Sequence, residues 1–178
     1  MRRLILAALF SAAIFSTVGA APSPVRDRRP YAAEVCKHIG LNSERHGIPE
    51  NFFTRLIWKE SIFDDQAVSP VGAEGIAQFM PTTAKLRGLK NSFDFREALA
   101  ASAEYLAFLR NKFGNLGLAA AAYNFGEDGA SAWLANRRTL PDETEDYVLA
   151  ITGHAAADWR NPSAALDVPG LGGTGGFF

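Results

Sequence analysis

LIWKESIFDDQAVSPVGAEGIAQFMP, residues 56–81, is the stretch that decides how this chain is interpreted. It begins as an apolar helical run, reaches the carboxylate Glu60, and continues into a loop of small residues that ends in GIAQFMP. Residues three and four apart share one face of a helix, so Glu60 falls on the same face as Leu56 and Ile57. The stretch therefore places an acid within an apolar stripe, directly before a loop.

Glu60 has two interpretations. A carboxyl group against apolar walls resists ionisation, so its pKa rises and it can act as a general acid near neutral pH. Alternatively, Glu60 lies in the last helical turn and simply reaches solvent. The loop favours the first interpretation, because Ser69 and Gln78 are neutral hydrogen-bonding groups. Such groups, together with aromatic rings, suit the hydroxyls and CH faces of a carbohydrate.

Composition limits the class of protein. The chain has 178 residues, 48% hydrophobic and 21% charged, with a net charge of −1, which is typical of one folded domain. The near-neutral net charge argues against a nucleic-acid partner. We also expect the protein to be a monomer. The single cysteine, Cys36, is expected to be buried beside Val35 and Ile39. The three histidines form no ligand-spaced cluster with it, so we expect neither a metal nor an organic cofactor.

The first residues predict export. Residues 1–20 combine Arg2 and Arg3, a short apolar run and the small residues Val18-Gly19-Ala20, the pattern of a signal peptide cleaved near Ala20. A retained membrane anchor is the alternative, since the apolar run is near the lower length limit for a bilayer span. The prediction is a periplasmic or secreted protein with a flexible leader over residues 21–30.

The rest of the chain predicts a mainly α domain over residues 31–160. Helical spacing and stop signals predict a first helix from residue 31 to about 46 and later helices over about 49–63, 75–86, 99–113, 116–124, 129–136 and 142–155. No stretch of the sequence shows the sustained alternation of a strand. Residues 161–178 are rich in glycine and are predicted to form a disordered tail.

Three motifs resemble the soluble lytic transglycosylase (SLT) family, relatives of goose-type lysozyme. The first begins with Glu60-Ser61 and continues through AVSPVGA and GIAQFMP, residues 67–73 and 75–81. The second is AYNFG, residues 122–126, and the third is PDETEDYV, residues 141–148. They occur in the family's order, and the resemblance covers roughly residues 33–155. One departure is Phe125, which replaces the small residue usual in the second motif.

The resemblance implies a lysozyme-like single domain with a carbohydrate-binding cleft, acting on the glycan strands of peptidoglycan. Glu60 aligns with the family's catalytic acid/base, and Tyr147 would help to orient it. The substrate-binding residues implied are Ser61, Ser69, Gln78, Met80, Tyr123, Asn124, Glu143 and Tyr147. By family analogy, the partner could be an envelope-spanning secretion or conjugation machine.

The implied reaction needs only one acid. Glu60 would protonate the bond between N-acetylmuramic acid (MurNAc) and N-acetylglucosamine (GlcNAc), then deprotonate the 6-hydroxyl of MurNAc, which closes into a 1,6-anhydro end. A hydrolytic muramidase is an alternative, and it would need a second carboxylate, for which Glu143 is the best candidate. A third alternative is a non-catalytic glycan-binding module.

Overall fold

The computed structural model describes residues 29–168. The predicted signal peptide, most of the predicted leader and residues 169–178 of the predicted tail lie outside the described residues. Within the described part, helix begins at Arg29, so the last two residues of the predicted leader are helical. None of the helices in this part is long and apolar enough to cross a membrane.

Seven α-helices and one 3₁₀ turn form the described fold. They are α1 (Arg29–His46), α2 (Glu50–Ser61), α3 (Pro81–Leu86), α4 (Phe95–Phe113), α5 (Leu116–Phe125), α6 (Glu127–Leu134), α7 (Asp142–Thr152) and the 3₁₀ turn Ala156–Trp159. Extended pairing in residues 29–168 is limited to the isolated bridges of Glu74 with Val68 and Phe79. The prediction of a mainly α domain is therefore confirmed.

The ends of α4 follow the signals in its sequence. The carboxylate of Asp94 accepts hydrogen bonds from the backbone N–H groups of Arg96 and Glu97, which otherwise lack helical partners. At the other end, Gly114 adopts a left-handed φ of 102°, which glycine tolerates without strain, and closes the helix as predicted. Asn115 then caps α5 by accepting from Leu118 N.

Helix α5 forms the centre of the core. Its residues Ala119 to Ala122 are fully buried, and α5 packs against α4, α6 and α7. Small side chains allow neighbouring helix axes to approach closely, and such packing leaves little freedom for displacement. The last turn of α5, which carries Tyr123 and Asn124, is therefore held in a fixed position.

The predicted third helix over residues 75–86 is wrong in its first half. The backbone of Glu74 pairs with that of Phe79 at 3.0 and 3.1 Å, and helix begins only at Pro81. Gly75 explains the difference. It has a φ of 71°, and a Cβ there would lie 1.8 Å from the carbonyl oxygen of Ser92. Residues 75–79 instead form a tight turn against the following loop.

Residues 161–168, assigned by the sequence to the disordered tail, lie against the body of the domain. The side-chain amide of Asn115 donates to the carbonyl of Asn161 at 2.9 Å, and that of Asn51 donates to the carbonyl of Val168 at 3.1 Å. Ala164, Leu166 and Val168 pack on the core. The packed domain therefore extends beyond residue 160.

The prediction for Cys36 is wrong, because its side chain is exposed. Val35 and Ile39, four residues apart, form the buried stripe of α1. Cys36 lies one residue further along, and each residue advances about 100° around a helix. Its thiol is therefore turned away from the core.

Candidate active site

A cavity of about 560 Å³ opens where the end of α2, the loop before α3, the end of α5 and the start of α7 meet. We refer to it as the cleft. Its lining residues are Lys59, Glu60, Ser69, Val71, Ala73, Gln78, Met80, Tyr123, Asn124, Phe125, Pro141, Glu143, Thr144 and Tyr147. Eight of the nine predicted site residues are in this set; Ser61 is not.

Glu60 reaches the cleft from the buried face of α2. Phe53, Leu56 and Ile57 on that face are fully buried, and they fix the direction in which the carboxyl group points. Burial raises the pKa of Glu60 from 4.5 to about 7; a hydrogen bond from Tyr147 acts in the opposite direction, and the charge of Glu143 adds to the rise. This supports the first of the two interpretations, because a substantial fraction of Glu60 is protonated at neutral pH.

Tyr147 is the hydrogen-bond partner of Glu60. Its hydroxyl donates to Oε1 of the carboxyl group. Burial, and next the charge of Glu60, raise the pKa of Tyr147 well above its usual value, so the hydroxyl stays a donor. Within residues 29–168, Glu60 has no other side-chain hydrogen bond, and its second oxygen is therefore available to a ligand.

Tyr123 lines the cleft, but its hydroxyl is used inside the protein. It donates to the carbonyl of Ala77 at 2.9 Å and lies 3.0 Å from the hydroxyl of Ser102. These bonds join α5 to the loop and to α4. Tyr123 can thus offer its ring to a ligand more readily than its hydroxyl.

Asn124 is positioned by a residue that sequence reasoning missed. The hydroxyl of Thr144, which is 1% exposed, donates to Oδ1 of Asn124 at 2.7 Å. This bond leaves the NH₂ of Asn124 to serve as a donor in the cleft. The available signal was the position of Thr144 inside the third motif, directly after Glu143.

The loop side chains both build the cleft and line it. The hydroxyl of Ser69 accepts from Ala73 N at 2.9 Å, which leaves its own proton to donate. The amide nitrogen of Gln78 donates to the carbonyls of Gly75 at 2.9 Å and Ala67 at 3.3 Å, which leaves its carbonyl oxygen as an acceptor. The loop therefore presents neutral polar groups of both kinds.

Ser61 does not line the cleft, in contrast to its predicted role in substrate binding. Its hydroxyl donates to the carbonyl of Ile76 at 2.8 Å, which ties the end of α2 to the loop. We therefore assign Ser61 a positioning role, which the neighbouring Glu60 concealed at the sequence level.

The backbone next to the cleft is strained. Ile62, Phe63 and Gln78 adopt left-handed φ values of 55°, 59° and 48°. Such values are rare for residues with side chains, especially the β-branched Ile, and cost on the order of 1–3 kcal/mol each. Strain of this kind often accompanies functional sites. Residues 29–168 contain no group of three His, Cys, Asp or Glu that could hold a metal ion.

The cleft continues past Phe125. A second space of about 290 Å³ adjoins it, and five residues line both: Gln78, Met80, Tyr123, Asn124 and Phe125. The residues that line only this second space are Phe79, Thr83, Tyr105 and Gly126. Together the two spaces form an extended groove, which suits a chain-like ligand.

Comparisons with known proteins agree on one relationship. The family model for the transglycosylase SLT domain matches residues 37–145. The membrane-bound lytic murein transglycosylase F of Desulfosudis oleivorans is 34% identical over 91 residues, which is 47% of this chain and 20% of that protein. The transglycosylase of Enterobacteria phage PRD1 is 26% identical over 117 residues, 66% of this chain and 44% of that protein.

The fold is also similar to solved structures. An inactive Glu-to-Gln variant of the lytic transglycosylase Slt from Pseudomonas aeruginosa superposes with a TM-score of 0.59 at 27% identity, over 70% of this chain and 23% of that one. This likeness confirms the predicted lysozyme-like, mainly α fold. The chain spans only 20% and 44% of the two curated relatives described above.

Proposed function

Since the chain belongs to the transglycosylase SLT domain family, we propose that it is a lytic transglycosylase. Its substrate is the glycan of peptidoglycan, and it cleaves the MurNAc-β-1,4-GlcNAc bond to leave 1,6-anhydro-MurNAc ends. The observation that carries the proposal is the half-buried Glu60 among apolar neighbours, whose pKa of about 7 suits a group that must both give and take a proton. The names of the relatives, lytic murein transglycosylases among them, support it.

Bond cleavage begins with the proton on Glu60. The oxygen that Tyr147 does not contact delivers this proton to the glycosidic oxygen, and the C1–O bond of MurNAc breaks as the GlcNAc end leaves. The hydrogen bond from Tyr147 stabilises the carboxylate that results. The N-acetyl group of MurNAc stabilises the positive charge at C1.

The second half of the reaction returns the proton. Ionised Glu60 removes the proton of the MurNAc 6-hydroxyl as that oxygen bonds to C1, so one proton leaves and one arrives. No water is consumed. Attack within one sugar benefits from the high effective concentration of an intramolecular nucleophile. Ser69, Gln78, Met80 and Asn124 hold the glycan in this geometry.

Glu143 supports a second candidate, hydrolysis. It lines the same cleft as Glu60, and its charge contributes to the raised pKa of Glu60. A water activated by Glu143 would attack C1 from the opposite face and leave a reducing end, as in enzymes that use two carboxylates. In the transglycosylase reaction, Glu143 instead contacts the substrate.

The setting of the reaction follows from the first residues. Cleavage of the signal peptide near Ala20 would place a monomeric enzyme in the periplasm or outside the cell, where peptidoglycan lies. Local opening of the wall for a secretion or conjugation machine is a suitable role. Normal assembly of such a machine in cells that lack the enzyme would contradict that role.

The test is mass spectrometry of the glycan ends that the purified mature protein releases from peptidoglycan. We expect ends lighter than reducing MurNAc by one water. Reducing ends would instead establish hydrolysis and direct attention to Glu143. The Glu60→Gln variant is expected to bind glycan without cleaving it, and cleavage by this variant would remove Glu60 from the mechanism. Binding without cleavage by the wild type would establish the binding-module alternative.

A further inference from the structure

One wall of the second space is formed by the short helix α3. Met80, directly before this helix, and Thr83 within it line the space. The helix has only six residues, and of its side chains only that of Ala84 is buried. A helix this short is not stable by itself, because its few backbone hydrogen bonds do not offset the cost of forming the first turn. Contacts with the rest of the protein must therefore set its position.

Arg87, directly after α3, links this helix to α4. Its guanidinium lies over the rings of Tyr105 and Phe108, 4.2 and 4.1 Å from their centroids. The two rings are three residues apart in α4, so they lie on the same face of that helix. An arginine over two aromatic rings gains cation–π attraction, and its stem covers apolar surface. The contact therefore holds the end of α3 against α4.

Glu127 fixes the orientation of that guanidinium. Its carboxylate accepts hydrogen bonds from Arg87 at 3.0 Å and from Lys112 at 2.6 Å, and from the hydroxyl of Tyr105 at 3.3 Å. Burial acts to raise the pKa of Glu127, but Lys112 and Arg87 outweigh burial and keep that pKa below its usual value. The ionised carboxylate thus joins α3, α4 and α6. We call Arg87, Lys112 and Glu127 the arginine clamp.

The arginine clamp borders the second space without lining it. Tyr105 and Gly126, which contact or adjoin Glu127, line this space, whereas the three charged residues of the clamp line neither space. A ligand in the groove therefore meets residues that the clamp positions and not the charges of the clamp. Thr83 of α3 and Tyr105 of α4 line the same space, so the separation of these two helices sets its width.

We propose that Arg87 is a positioning residue that determines affinity for long glycans, because it keeps the wall of the second space in place for a further sugar of the strand. The proposal rests on the proposed function, which supplies a glycan that extends from the cleft into the second space. A wall that is fixed before the ligand arrives reduces the entropy cost of binding. A short glycan in the cleft alone does not contact this wall. The residues of the clamp lie outside the three sequence motifs.

The test measures binding by calorimetry, in the full mature chain with the Glu60→Gln substitution so that no ligand is cleaved. The ligands are peptide-free glycans, a hexasaccharide and a disaccharide, which the cleft alone can hold. We expect the hexasaccharide to bind more tightly. Arg87→Ala should reduce its affinity roughly fivefold, the scale of a partly exposed ion pair with a ring contact. The affinity of the disaccharide should stay unchanged.

The matched control is Arg96→Ala. Arg96 also lies over a ring, that of Phe95 at 4.4 Å, and also pairs with a carboxylate, that of Glu34 at 3.5 Å. These contacts join α4 to α1, a helix that lines neither space. Arg96→Ala should therefore leave both affinities unchanged. Arg87→Lys keeps the charge but not the planar group, so it should give an intermediate loss and tests the proposal even if Arg87→Ala folds poorly.

Glu127→Gln separates positioning from direct contact with the ligand. It removes the charge that holds Arg87 and Lys112, so the clamp weakens and the affinity of the hexasaccharide should fall, roughly twofold to threefold. If Arg87 instead bound the acidic groups of the glycan itself, its release from Glu127 would raise that affinity. The two roles of Arg87 thus predict changes of opposite sign.

Equal affinity for the two glycans before substitution would overturn the proposal, as would a rise in affinity with Glu127→Gln. Equal losses for both glycans with Arg87→Ala would also overturn it, because they would show a general effect on the fold. Failure of the proposed function is seen separately, in the turnover of peptide-free glycan by the wild type. A protein that shows the expected dependence on length but cleaves neither glycan would keep the arginine clamp and lose the reaction.

Discussion

The cleft and the arginine clamp border the same groove but treat charge in opposite ways. In the cleft, Glu60 is half-buried among fully buried neighbours, and its pKa rises to about 7. In the arginine clamp, the side chains of Arg87, Lys112 and Glu127 are partly exposed, and water weakens the attraction between their charges. The comparison teaches that burial moves the pKa of a carboxyl group into the neutral range, so that its charge changes with pH there. The interactions of exposed charges depend instead on the salt concentration.

The largest expected effect concerns the wall of the cleft. Gly75→Ala places a Cβ 1.8 Å from the carbonyl oxygen of Ser92 at a φ of 71°, so two backbones must separate. We expect a loss of at least roughly 3 kcal/mol in the free energy of unfolding, measured in urea. The control is Gly72→Ala, at a φ of 86° with nothing within 4 Å, which should cost about 1 kcal/mol. Equal losses would show that the wall is not rigid.

A second prediction concerns the pH dependence of stability. The folded protein holds the proton of Glu60 up to about pH 7, whereas the unfolded chain releases it near 4.5. The wild type therefore loses stability as pH rises from about 4.5 to about 7. Glu60→Gln carries no titrating group there, so its stability relative to wild type should increase by roughly 3 kcal/mol between pH 4 and pH 8.

Urea denaturation at several pH values measures this difference. The matched control is Asp146→Asn, which removes an exposed carboxyl group of α7 that does not contribute to the pKa of Glu60 and should follow the wild-type curve closely. Parallel curves for Glu60→Gln and the wild type would mean that burial does not hold the proton on Glu60.

The smallest of the three expected effects concerns the hydrogen bond that Tyr147 donates to Glu60. Its hydrogen bond lowers the pKa of Glu60 against the effect of burial, so Tyr147→Phe should raise that pKa further. The alkaline limb of the pH–rate profile should therefore move to higher pH. The turnover rate should fall roughly tenfold or more, because the carboxylate loses a hydrogen-bond donor. Tyr31→Phe removes a hydroxyl that bonds the carbonyl of Phe63 and should leave the profile in place.

Local sequence was sufficient where the structure depends on near neighbours. Helical spacing places Glu60 on the buried face of α2, and Gly114 ends α4 as its position predicts. The resemblance, carried by three motifs in the family's order, predicted that residues from three separate helices line the same cleft. In each case the governing interactions span a few residues, or the resemblance supplied the long-range information.

The missed features depend on contacts between distant residues. The turn at 75–79 follows from the approach of Gly75 to Ser92, and the role of Ser61 from its bond to Ile76. The turn after α6 is held because Arg160 reaches back to Asn136. Nothing in the local pattern of these segments encodes such pairings, so periodicity and propensity are insufficient for them.

The exposed thiol of Cys36 has a practical consequence. It is the single cysteine of the chain, and its helix contributes no residue to the cleft or the second space. A maleimide dye would therefore attach once per molecule without mutagenesis, away from both binding spaces, and would allow single enzymes to be followed on isolated cell walls. The same thiol can join two copies by a disulfide in air, so gel-filtration sizes should be measured with reductant present.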